Sequence, residues 1–482
     1  MNTNSFKLVS LFSGAGGMDL GFARTSRFQL LLANDILSTP ARTYAQNFQH
    51  QVLEVGQEAS FNENHPIYLV GDVSQVDFGR IALSDLDVIV GGPPCQDFSV
   101  IRGPQVERQG LDVKRGRLYA HFIRALIHLQ PKVFVFENVP GLQSANKGTA
   151  YRTILDDFSS LNLRWREIRE IVGNSFGNNV KNYTTIFSNK VDSAVLGVPQ
   201  RRKRLIIIGV REDLLDWTAT VRVQQKAETV LSGKGSLLGK YPMTPLEVFE
   251  GLPLVELGSA YRNTMKEYQE IADKATTEKA LVWRDNIWSR LTFDVIEDYL
   301  AVNSITPASH REIEKAIEEH YTVLKELGYY RKRIEERLYS DGSNEVPAEA
   351  QSVIERLRQI PPDENHLFVK GTKWEVEGRG LSLIYRRLHP LKPSYTVVAY
   401  GGGGTWGYHY QRSRGKLTHR ERARLQTFPE SFEFKGNASE IRAQLGEAVP
   451  PRLGEKIAGV VQTILSSDKG ELTLEMMATE HI

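Results

Sequence analysis

Residues 8–17 read LVSLFSGAGG, a short apolar run that ends in a glycine-rich turn. The run has the length of a buried β-strand, and the glycines allow the backbone to turn sharply or to approach a ligand closely. Five similar runs follow before residue 211, separated by longer amphipathic or polar stretches, as expected for a mostly parallel α/β sheet of Rossmann-like type. The predicted strands are Leu8–Phe12, Leu30–Ala33, Ile67–Val70, Val88–Val90, Val133–Phe136 and Leu205–Val210.

The remaining sequence predicts a second, differently built unit. The chain has 482 residues, which favours two domains over a single core. From about residue 215 the pattern becomes charged and helical, most clearly over Glu312–Tyr339, where apolar residues recur at helical spacing. A further strand is predicted at Tyr395–Tyr400, before four consecutive glycines, and residues 443–467 predict a turn followed by an apolar helix.

Composition narrows the class of protein. Apolar residues make up 41% of the chain and charged residues 24%, which is typical of globular proteins. No apolar run approaches the roughly 18 residues that span a bilayer, and the first residues lack the features of a secretory signal. The one cysteine, Cys95, cannot form an internal disulfide and fits a reducing compartment. We therefore expect a cytoplasmic protein without a membrane partner.

The net charge of +2 does not by itself predict a polyanionic partner, so that prediction depends on local clusters. One basic cluster is Arg201–Arg204, and a second lies between Arg412 and Arg424. The alternative interpretation of each cluster is an ordinary solvated surface.

The residues that follow the first three strands favour a nucleoside pocket. The turn Phe12–Gly17 follows the first strand, and Asp35 after the second is placed to accept hydrogen bonds from two ribose hydroxyls. Asp72, after the third, is placed to accept from an adenine amino group. Asp19 stands where a dinucleotide fingerprint has its third glycine, which argues against a pyrophosphate-bearing cofactor. The alternative is that the glycines form only a tight structural turn.

Three further residues carry candidate chemistry. Residues 91–96, GGPPCQ, form a stiff turn that holds the Cys95 thiol at a strand tip, where the alternative interpretation is a small buried hydrophobe. The thiolate is the nucleophile, and since a free thiol has a pKa near 8.5, nearby positive charge would help. Glu137 ends the fifth strand, where an unpaired carboxylate is costly to bury. Arg204 precedes the sixth strand, and its alternative role is a surface salt bridge.

In order and spacing, these segments resemble the cytosine-C5 DNA methyltransferase family, typified by bacterial modification enzymes. The resemblance covers residues 7 to about 250 and 383 to about 465 and leaves the middle unmatched. The matching segments are FSGAGG at 12–17, PPCQ at 93–96, ENV at 137–139, QRRKR at 200–204, Arg387–Thr396, Arg420–Glu421 with Leu425–Pro429, and Gly446–Pro451.

The resemblance implies a covalent mechanism. Cys95 would add to C6 of a cytosine flipped out of duplex DNA, and the activated C5 would take the methyl group of S-adenosylmethionine. Glu137 would serve N3 of the ring as a hydrogen-bond donor or proton source, while Arg204, with Arg202, would hold O2. No metal is implied.

The resemblance also implies binding residues. A closing loop from Gln96 to about Arg117 would contact DNA phosphates through residues that include Gln96, Ser99, Arg102, Arg108 and Arg115. Two positions depart from the pattern: Glu447 stands where many relatives have Asn, and Ile36 can pack on adenine but cannot stack as an aromatic ring would. The implied cofactor-binding residues are Phe12, Ser13, Gly14, Ala15, Gly16, Gly17, Asp35, Ile36, Asp72, Val73, Pro94 and Ala448.

For the domains, we predict a catalytic segment over 1–220, a smaller target-recognition domain over 221–439, and a segment over 440–482 that completes the catalytic domain. The expected partner is double-stranded DNA, bound by a monomer at the bacterial nucleoid. A restriction endonuclease acting on the same sequence, without a stable complex, is a further candidate partner.

Two other functions compete with this one. The large class of RNA cytosine methyltransferases uses two cysteines and is excluded by the single Cys95, but a tRNA-acting relative with the DNA-enzyme motifs stays an alternative. The long middle region favours a dedicated DNA reader. The third hypothesis is a catalytically inactive DNA-binding regulator, against which the presence of Cys95, Glu137 and Arg204 argues.

Overall fold

The computed structural model describes residues 5–81, 83–94, 118–161, 180–214, 217–376, 383–400 and 404–467. The chain forms two compact units. The first unit comprises Met1–Asp192, Lys203–Lys234 and Leu453–Ile482, and the second comprises Ser193–Arg202 and Gly235–Arg452. The functional division of the chain given above stays a prediction.

The first unit contains one eight-stranded sheet. Its strands are β1 (Phe6–Leu11), β2 (Phe28–Asp35), β3 (Gln51–Glu54), β4 (Ile67–Val70), β5 (Val88–Gly91), β6 (Val133–Asn138), β7 (Tyr183–Asp192) and β8 (Lys203–Arg211). Their order across the sheet is β3-β4-β2-β1-β5-β6-β8-β7. Pairing is parallel from β3 to β6, and β8 is antiparallel to both its neighbours. The mostly parallel α/β sheet is thereby confirmed, and all six predicted strands overlap observed ones.

Among the described residues, five helices lie wholly within the first unit. Tight packing fixes one of them against the sheet: a Cβ on Gly91 would lie 2.8 Å from the ring of Phe122, which itself packs edge-on against Phe136 at a centroid distance of 5.4 Å. The helices are α1 (Gly17–Arg24), α2 (Ser38–Phe48), α3 (Tyr119–Leu129), α4 (Thr149–Ser159) and α5 (Trp217–Leu231).

The register of the strands brings several residues to one edge of this sheet. Leu11 pairs with Asn34 on one side and with Gly91 on the other, and Gly91 pairs in turn with Phe136. Because these strands are parallel, the residues that follow them emerge side by side at the carboxyl end, where α/β sheets bind ligands. Strand β8 runs in the opposite direction, so its first residues lie at the same edge.

The second unit is mainly helical around its own apolar core. The strand predicted at Tyr395–Tyr400 is wrong: the structure shows only an isolated bridge between Gln200 and Ser394 there. The predicted helix over Glu312–Tyr339 ends earlier, because Gly328 adopts φ 75° just after it. The described helices of the second unit are α6 (Pro245–Glu250), α7 (Gly258–Lys266), α8 (Gln269–Asp273), α9 (Glu278–Asn286), α10 (Val295–Val302), α11 (His310–Glu326), α12 (Gln351–Leu357), α13 (His419–Leu425) and α14 (Ala438–Glu447).

The last helix, α15 (Pro451–Ser467), follows a short turn, as predicted. The boundary between the two units falls within its first turn. Within the described ranges, no helix is both long enough and apolar enough to cross a membrane.

Candidate active site

The turn after β1 is held in a conformation that requires glycine. Gly14 and Gly16 have φ of 53° and 82°, in the left-handed region, and a Cβ on Gly16 would lie 2.6 Å from the ring of Phe48. Phe12 also has a positive φ, 56°. The Ser13 amide donates to the carbonyl of Asn34 at 3.0 Å, which joins the turn to the end of β2. Ala15 is buried, and Gly17 begins α1.

Asp35 extends this link between the turn and β2. Its Oδ2 accepts from the Gly14 amide at 3.0 Å and its Oδ1 from the Leu37 amide at 3.1 Å. Burial raises the pKa of Asp35, against the effect of these backbone donors. Each carboxylate oxygen has more than one acceptor direction, so the group can also accept from a ligand hydroxyl. Beside it, the Ile36 side chain is 63% exposed and offers an apolar surface.

Asp72 and Val73 form the corresponding turn after β4. Asp72 caps a short 3₁₀ turn, and its Oδ1 accepts from the Ser74 amide at 2.8 Å, which is the main cause of its lowered pKa. The Val73 carbonyl accepts from the guanidinium of Arg124, whose Cζ lies 4.9 Å from the centre of the Phe78 ring. Arg124 is not among the residues predicted from the sequence, although an arginine within an apolar helix is a signal for a buried partner.

The turn after β5 lies against the end of β6. The Asn138 amide donates from Nδ2 to the Pro93 carbonyl at 3.3 Å, and a Cβ on Gly92 would lie 2.7 Å from Oε2 of Glu137. Only glycine at 92 therefore allows Glu137 its observed position. Pro94 is exposed and is the last described residue before position 95. The predicted residues Cys95, Gln96, Ser99, Arg102, Arg108 and Arg115 lie outside the described residues.

Glu137 and Arg204 form an ion pair at this edge. Nε of Arg204 lies 2.8 Å from Oε1 of Glu137, with the two side chains only 13% and 11% exposed. Burial lowers the pKa of Arg204, and the charge and hydrogen bond of Glu137 oppose that shift. The sequence placed both residues at strand tips, and the structure brings them into contact. The pair holds one carboxylate oxygen by a guanidinium and directs the other toward the turn that leads to position 95.

Arg202, predicted to assist Arg204, lies in the second unit and is fully buried. It donates from Nη1 to the Val397 carbonyl at 3.0 Å and from Nη2 to the Gly446 carbonyl at 2.8 Å. Because the Arg202 guanidinium binds these two backbone carbonyls, the structure does not support a contact between Arg202 and substrate.

Ala448, the last predicted cofactor residue, also lies in the second unit, directly after α14. It is partly buried, and its amide donates to the Gln444 carbonyl at 3.1 Å. Its neighbour Glu447 is exposed. Gly446 is required by packing, since a Cβ there would lie 1.9 Å from the Ala399 nitrogen.

The second basic cluster does not form the solvated, positively charged surface that its sequence allows. Arg420, Arg422 and Arg424 are buried. Arg424 donates to the Val248 and Lys332 carbonyls, both at 2.8 Å, and pairs with Glu430 at 2.9 Å. Arg420 pairs with Asp341 at 2.8 Å. Arg420 and Arg424 thus connect segments of the second unit, and carboxylates of that unit compensate their charges.

Asp19 is a buried acid next to the glycine turn, which the sequence shows only as the residue in place of the third fingerprint glycine. Asp19 is 1% exposed, and its Oδ1 accepts from the Ser10 hydroxyl at 2.8 Å. Burial raises the pKa of Asp19 to about 6. Over the described part of the chain, no three His, Cys, Asp or Glu side chains gather as metal ligands would.

Comparison with known proteins places the chain in a family. The family model for the C-5 cytosine-specific DNA methylase matches residues 6–463. The DNA (cytosine-5-)-methyltransferase M.ApeKI of Aeropyrum pernix is 53% identical over 465 residues, which cover 96% of this chain and 99% of that protein. The type II methyltransferase M.NgoFVII of Neisseria gonorrhoeae is 30% identical over 99% of this chain and 92% of its own length.

Solved structures agree on the fold. A protein of an E. coli prophage, described as a DNA modification methyltransferase, superposes with a TM-score of 0.54 at 21% identity over 96% of this chain and 100% of its own. The methyltransferase EhMeth of Entamoeba histolytica gives a TM-score of 0.51 at 10% identity, over 96% of this chain and 99% of its own. The family model and the relative at 53% identity together show that the chain belongs to the C-5 cytosine-specific DNA methylase family as a DNA (cytosine-5-)-methyltransferase.

Proposed function

We propose that this chain methylates C5 of one cytosine within a specific sequence of double-stranded DNA, through a covalent bond between Cys95 Sγ and C6 of a flipped-out base. The observation that carries the proposal is the Glu137–Arg204 ion pair beside Gly92, in the turn that leads directly to Cys95. A pyrimidine attacked at C6 gains negative charge at N3 and O2, and groups held in place beforehand stabilise that charge best.

Each residue has one part in the reaction. The Cys95 thiolate forms the bond to C6 of the cytosine. Oε2 of Glu137 contacts N3 of the ring. Arg204 holds Oε1 of Glu137 in place and lies next to O2 of the ring. When bound, S-adenosylmethionine supplies the methyl group that C5 takes up. Loss of the C5 proton then re-forms the ring double bond and expels the Cys95 thiolate. Arg202 is not part of this set, because it binds the Val397 and Gly446 carbonyls.

The cofactor proposal rests on the first unit. The left-handed Gly14 and Gly16, with no room for a Cβ on Gly16, form a backbone cradle, while Asp35 ends β2 and Asp72 follows β4 at the same edge. These features fit a nucleoside with no phosphate: Asp35 would accept from ribose hydroxyls, Ile36 would pack on adenine, and Asp72 would accept from its amino group. Ser13 and its turn would hold the methionine part. Val73, Pro94 and Ala448 are proposed as further contacts.

The biological setting is proposed from the relatives. Several of them are type II methyltransferases, such as M.NgoFVII, which supports a role as the modification enzyme of a restriction-modification system. In that setting the enzyme acts as a monomer on DNA in the cytoplasm, at the nucleoid, and a restriction endonuclease reads the same sequence without forming a stable complex with it. The DNA contacts proposed for Gln96, Ser99, Arg102, Arg108 and Arg115 belong to this model.

Mapping methylated sites tests the proposal directly. Bisulfite sequencing of DNA from cells that express the chain should show 5-methylcytosine at one position of one recurring sequence, and Cys95→Ala should abolish it while binding of DNA persists. Equal labelling of tRNA in a competition with duplex DNA would support the tRNA alternative. Retained methylation by Cys95→Ala would contradict the covalent mechanism, and absence of any methylation by the wild type would favour the inactive regulator.

A further inference from the structure

Asp19 is a buried acid that the proposed mechanism does not use. It lies in the first turn of α1, directly after the glycine turn, and is 1% exposed. Burying a carboxylate is costly unless it is paired or well hydrogen-bonded. Across the described residues, no lysine, arginine or histidine forms an ion pair with it, and the hydroxyls of Ser10 and Tyr44 only partly offset the effect of burial on its pKa. The structure therefore keeps a negative charge poorly compensated beneath the proposed cofactor turn.

A chain of hydroxyls connects this charge to the turn. The Ser10 hydroxyl donates to Oδ1 of Asp19 at 2.8 Å, and Ser13 Oγ lies 2.9 Å from Ser10 Oγ and 3.0 Å from the Ser10 carbonyl, either of which can accept its one proton. With its proton donated to Ser10, Ser13 Oγ has two lone pairs, of which one accepts from the Asn34 amide at 3.3 Å and the other can accept from a cationic or N–H donor. Ser13 is a proposed cofactor contact, so the carboxylate acts on the pocket through directed hydrogen bonds as well as through its field.

The methyl donor and the product of the reaction differ by one charge. S-adenosylmethionine carries a sulfonium cation, and S-adenosylhomocysteine has a neutral thioether, while both keep the same ammonium and carboxylate groups. Any repulsion between Asp19 and the shared carboxylate cancels when the two ligands are compared. A buried anion therefore favours the donor over the product.

We propose that Asp19 is a specificity-determining residue of the cofactor pocket, which makes the enzyme bind the sulfonium donor in preference to the neutral product and so helps product release. This inference rests on the proposed cofactor. The effect depends on the ionised carboxylate, and burial raises the pKa of Asp19 to about 6. Preference for the donor is then present above pH 6 and is lost as pH falls through that value.

Other titratable groups near Asp19 do not produce this transition. Tyr44 on α2 and Tyr68 on β4 face it, and burial holds the pKa of both well above 10. Asp35, at the end of β2, also has a raised pKa because of burial. Any effect of Asp35 on the pH dependence of ligand binding persists when Asp19 is replaced. An Asp19 variant therefore separates the effect of Asp19 from that of Asp35.

The test is equilibrium binding of S-adenosylmethionine and S-adenosylhomocysteine to the full chain between pH 5 and 8, without DNA. The ratio of the product's Kd to the donor's Kd should rise with pH around 6 in the wild type. In Asp19→Asn the ratio should fall roughly tenfold at pH 8, the order expected for a unit charge within about 10 Å, and should lose its transition near pH 6. The matched control is Asp157→Asn, a carboxylate in α4 that is 3% exposed and accepts from the Tyr119 hydroxyl, and it should leave the ratio unchanged.

Two results would overturn the inference. One is a ratio in Asp19→Asn equal to that of the wild type, and the other is a wild-type ratio that does not change from pH 5 to 8. The second needs no variant, so it decides the matter even if Asp19→Asn does not fold. Failure of the wild type to bind either ligand would instead contradict the proposed cofactor, and with it this inference, whereas normal binding with an unchanged ratio contradicts the inference alone.

Discussion

The strand-tip edge of the first unit and the arginine-rich segments of the second unit both hold charged side chains in buried positions, but with different partners. In the second unit, Arg387 donates to the Leu357 and Ile360 carbonyls at 2.7 and 2.8 Å, and Arg424 binds two carbonyls and Glu430. At the strand tips, Glu137 and Arg204 pair with each other beside the turn that leads to Cys95.

From this difference we infer that the partners of a buried charged side chain, and not its residue type or motif, distinguish a structural role from the proposed catalytic one. A guanidinium that binds several carbonyls fixes the backbone, so its loss should lower stability. A carboxylate that is held on one oxygen and approaches a glycine on the other is placed to meet a substrate, so its loss should lower activity. Arg202 and Arg204, two positions apart in one motif, fall on opposite sides of this division.

The largest expected effect is on activity, at the strand tips. Glu137→Gln keeps the shape of the side chain but removes its charge, and we expect methyl transfer to slow by about 10² to 10⁴-fold, the usual range for a positioned acid or base. Single-turnover rates on duplex DNA measure this, with urea unfolding as the control for structure. A rate within threefold of wild type, roughly 0.7 kcal/mol in the barrier, would place Glu137 outside the chemistry.

The next effect is on stability, in the second unit. Arg424→Ala removes the donor of the Val248 and Lys332 carbonyls, while Glu430 keeps Arg337 and the Tyr339 hydroxyl. We expect a loss of about 3 kcal/mol in the free energy of unfolding, since each buried acceptor left unsatisfied costs about 1–3 kcal/mol. Denaturant titration measures it. The control is Arg311→Ala on the exposed face of α11, expected within about 0.5 kcal/mol of wild type. If Arg424→Ala were as stable as that control, the framework role would be refuted.

A smaller loss of activity is expected where the turn after β5 contacts the end of β6. Gly92→Ala places a Cβ 2.7 Å from Oε2 of Glu137, so the carboxylate must move. We expect a strain of about 1–3 kcal/mol and a loss of turnover of roughly tenfold, without loss of cofactor binding. Gly258→Ala is the control, because a Cβ there meets nothing within 4 Å. Wild-type turnover in Gly92→Ala would show that the position of Glu137 is not critical.

The smallest effect depends on pH. In the second unit, His320 is 1% exposed, with Nδ1 2.8 Å from Oε1 of Glu247 and Nε2 2.9 Å from the Tyr241 carbonyl. Burial alone would lower the pKa of His320, but the Glu247 charge and these acceptors outweigh it and raise the pKa. Both ring nitrogens then donate, as an imidazolium does.

Because the folded pKa lies above the unfolded value near 6.5, this stabilisation is complete below about pH 6.5 and is lost as pH rises through the folded pKa. A tenfold difference in proton affinity between the folded and unfolded chains corresponds to about 1.4 kcal/mol of stability. Urea unfolding of the wild type from pH 6 to 9 should show this decline, and His320→Gln should lack it. An identical pH dependence in both proteins would show that His320 is neutral in the folded state.

The sequence predicted the sheet well, because buried parallel strands appear as continuous apolar runs. It missed β3, whose residues QVLE form a largely exposed edge strand with no such run, and β7, an antiparallel edge strand with mixed burial. The strand predicted at Tyr395–Tyr400 failed because its backbone bonds go elsewhere. The Val397 amide donates to the Gln200 side chain, and its carbonyl accepts from Arg202, almost two hundred residues away in sequence.

For the site, the sequence placed Glu137, Asp35 and Asp72 at strand tips, and the register brings those tips to one edge. It could not separate Arg202 from Arg204, since burial and carbonyl partners depend on the tertiary fold. The same limit applies to Arg420 and Arg424, whose partners Asp341 and Glu430 lie in other segments or turns. The sequence shows Asp19 only as the residue in place of a fingerprint glycine, because its burial and its hydrogen bond to Ser10 depend on the tertiary fold.

The proposed covalent bond between Cys95, which follows the Gly92 turn, and the target cytosine is the central feature of the mechanism. It is tested most directly with duplex DNA in which 5-fluorocytosine replaces the target cytosine, since fluorine at C5 cannot leave as a proton and the adduct persists. With S-adenosylmethionine present, the wild type should form a denaturant-resistant complex in which the DNA is joined to Cys95, and Cys95→Ala should form none. No such complex from a wild-type protein shown to bind that DNA would contradict the account.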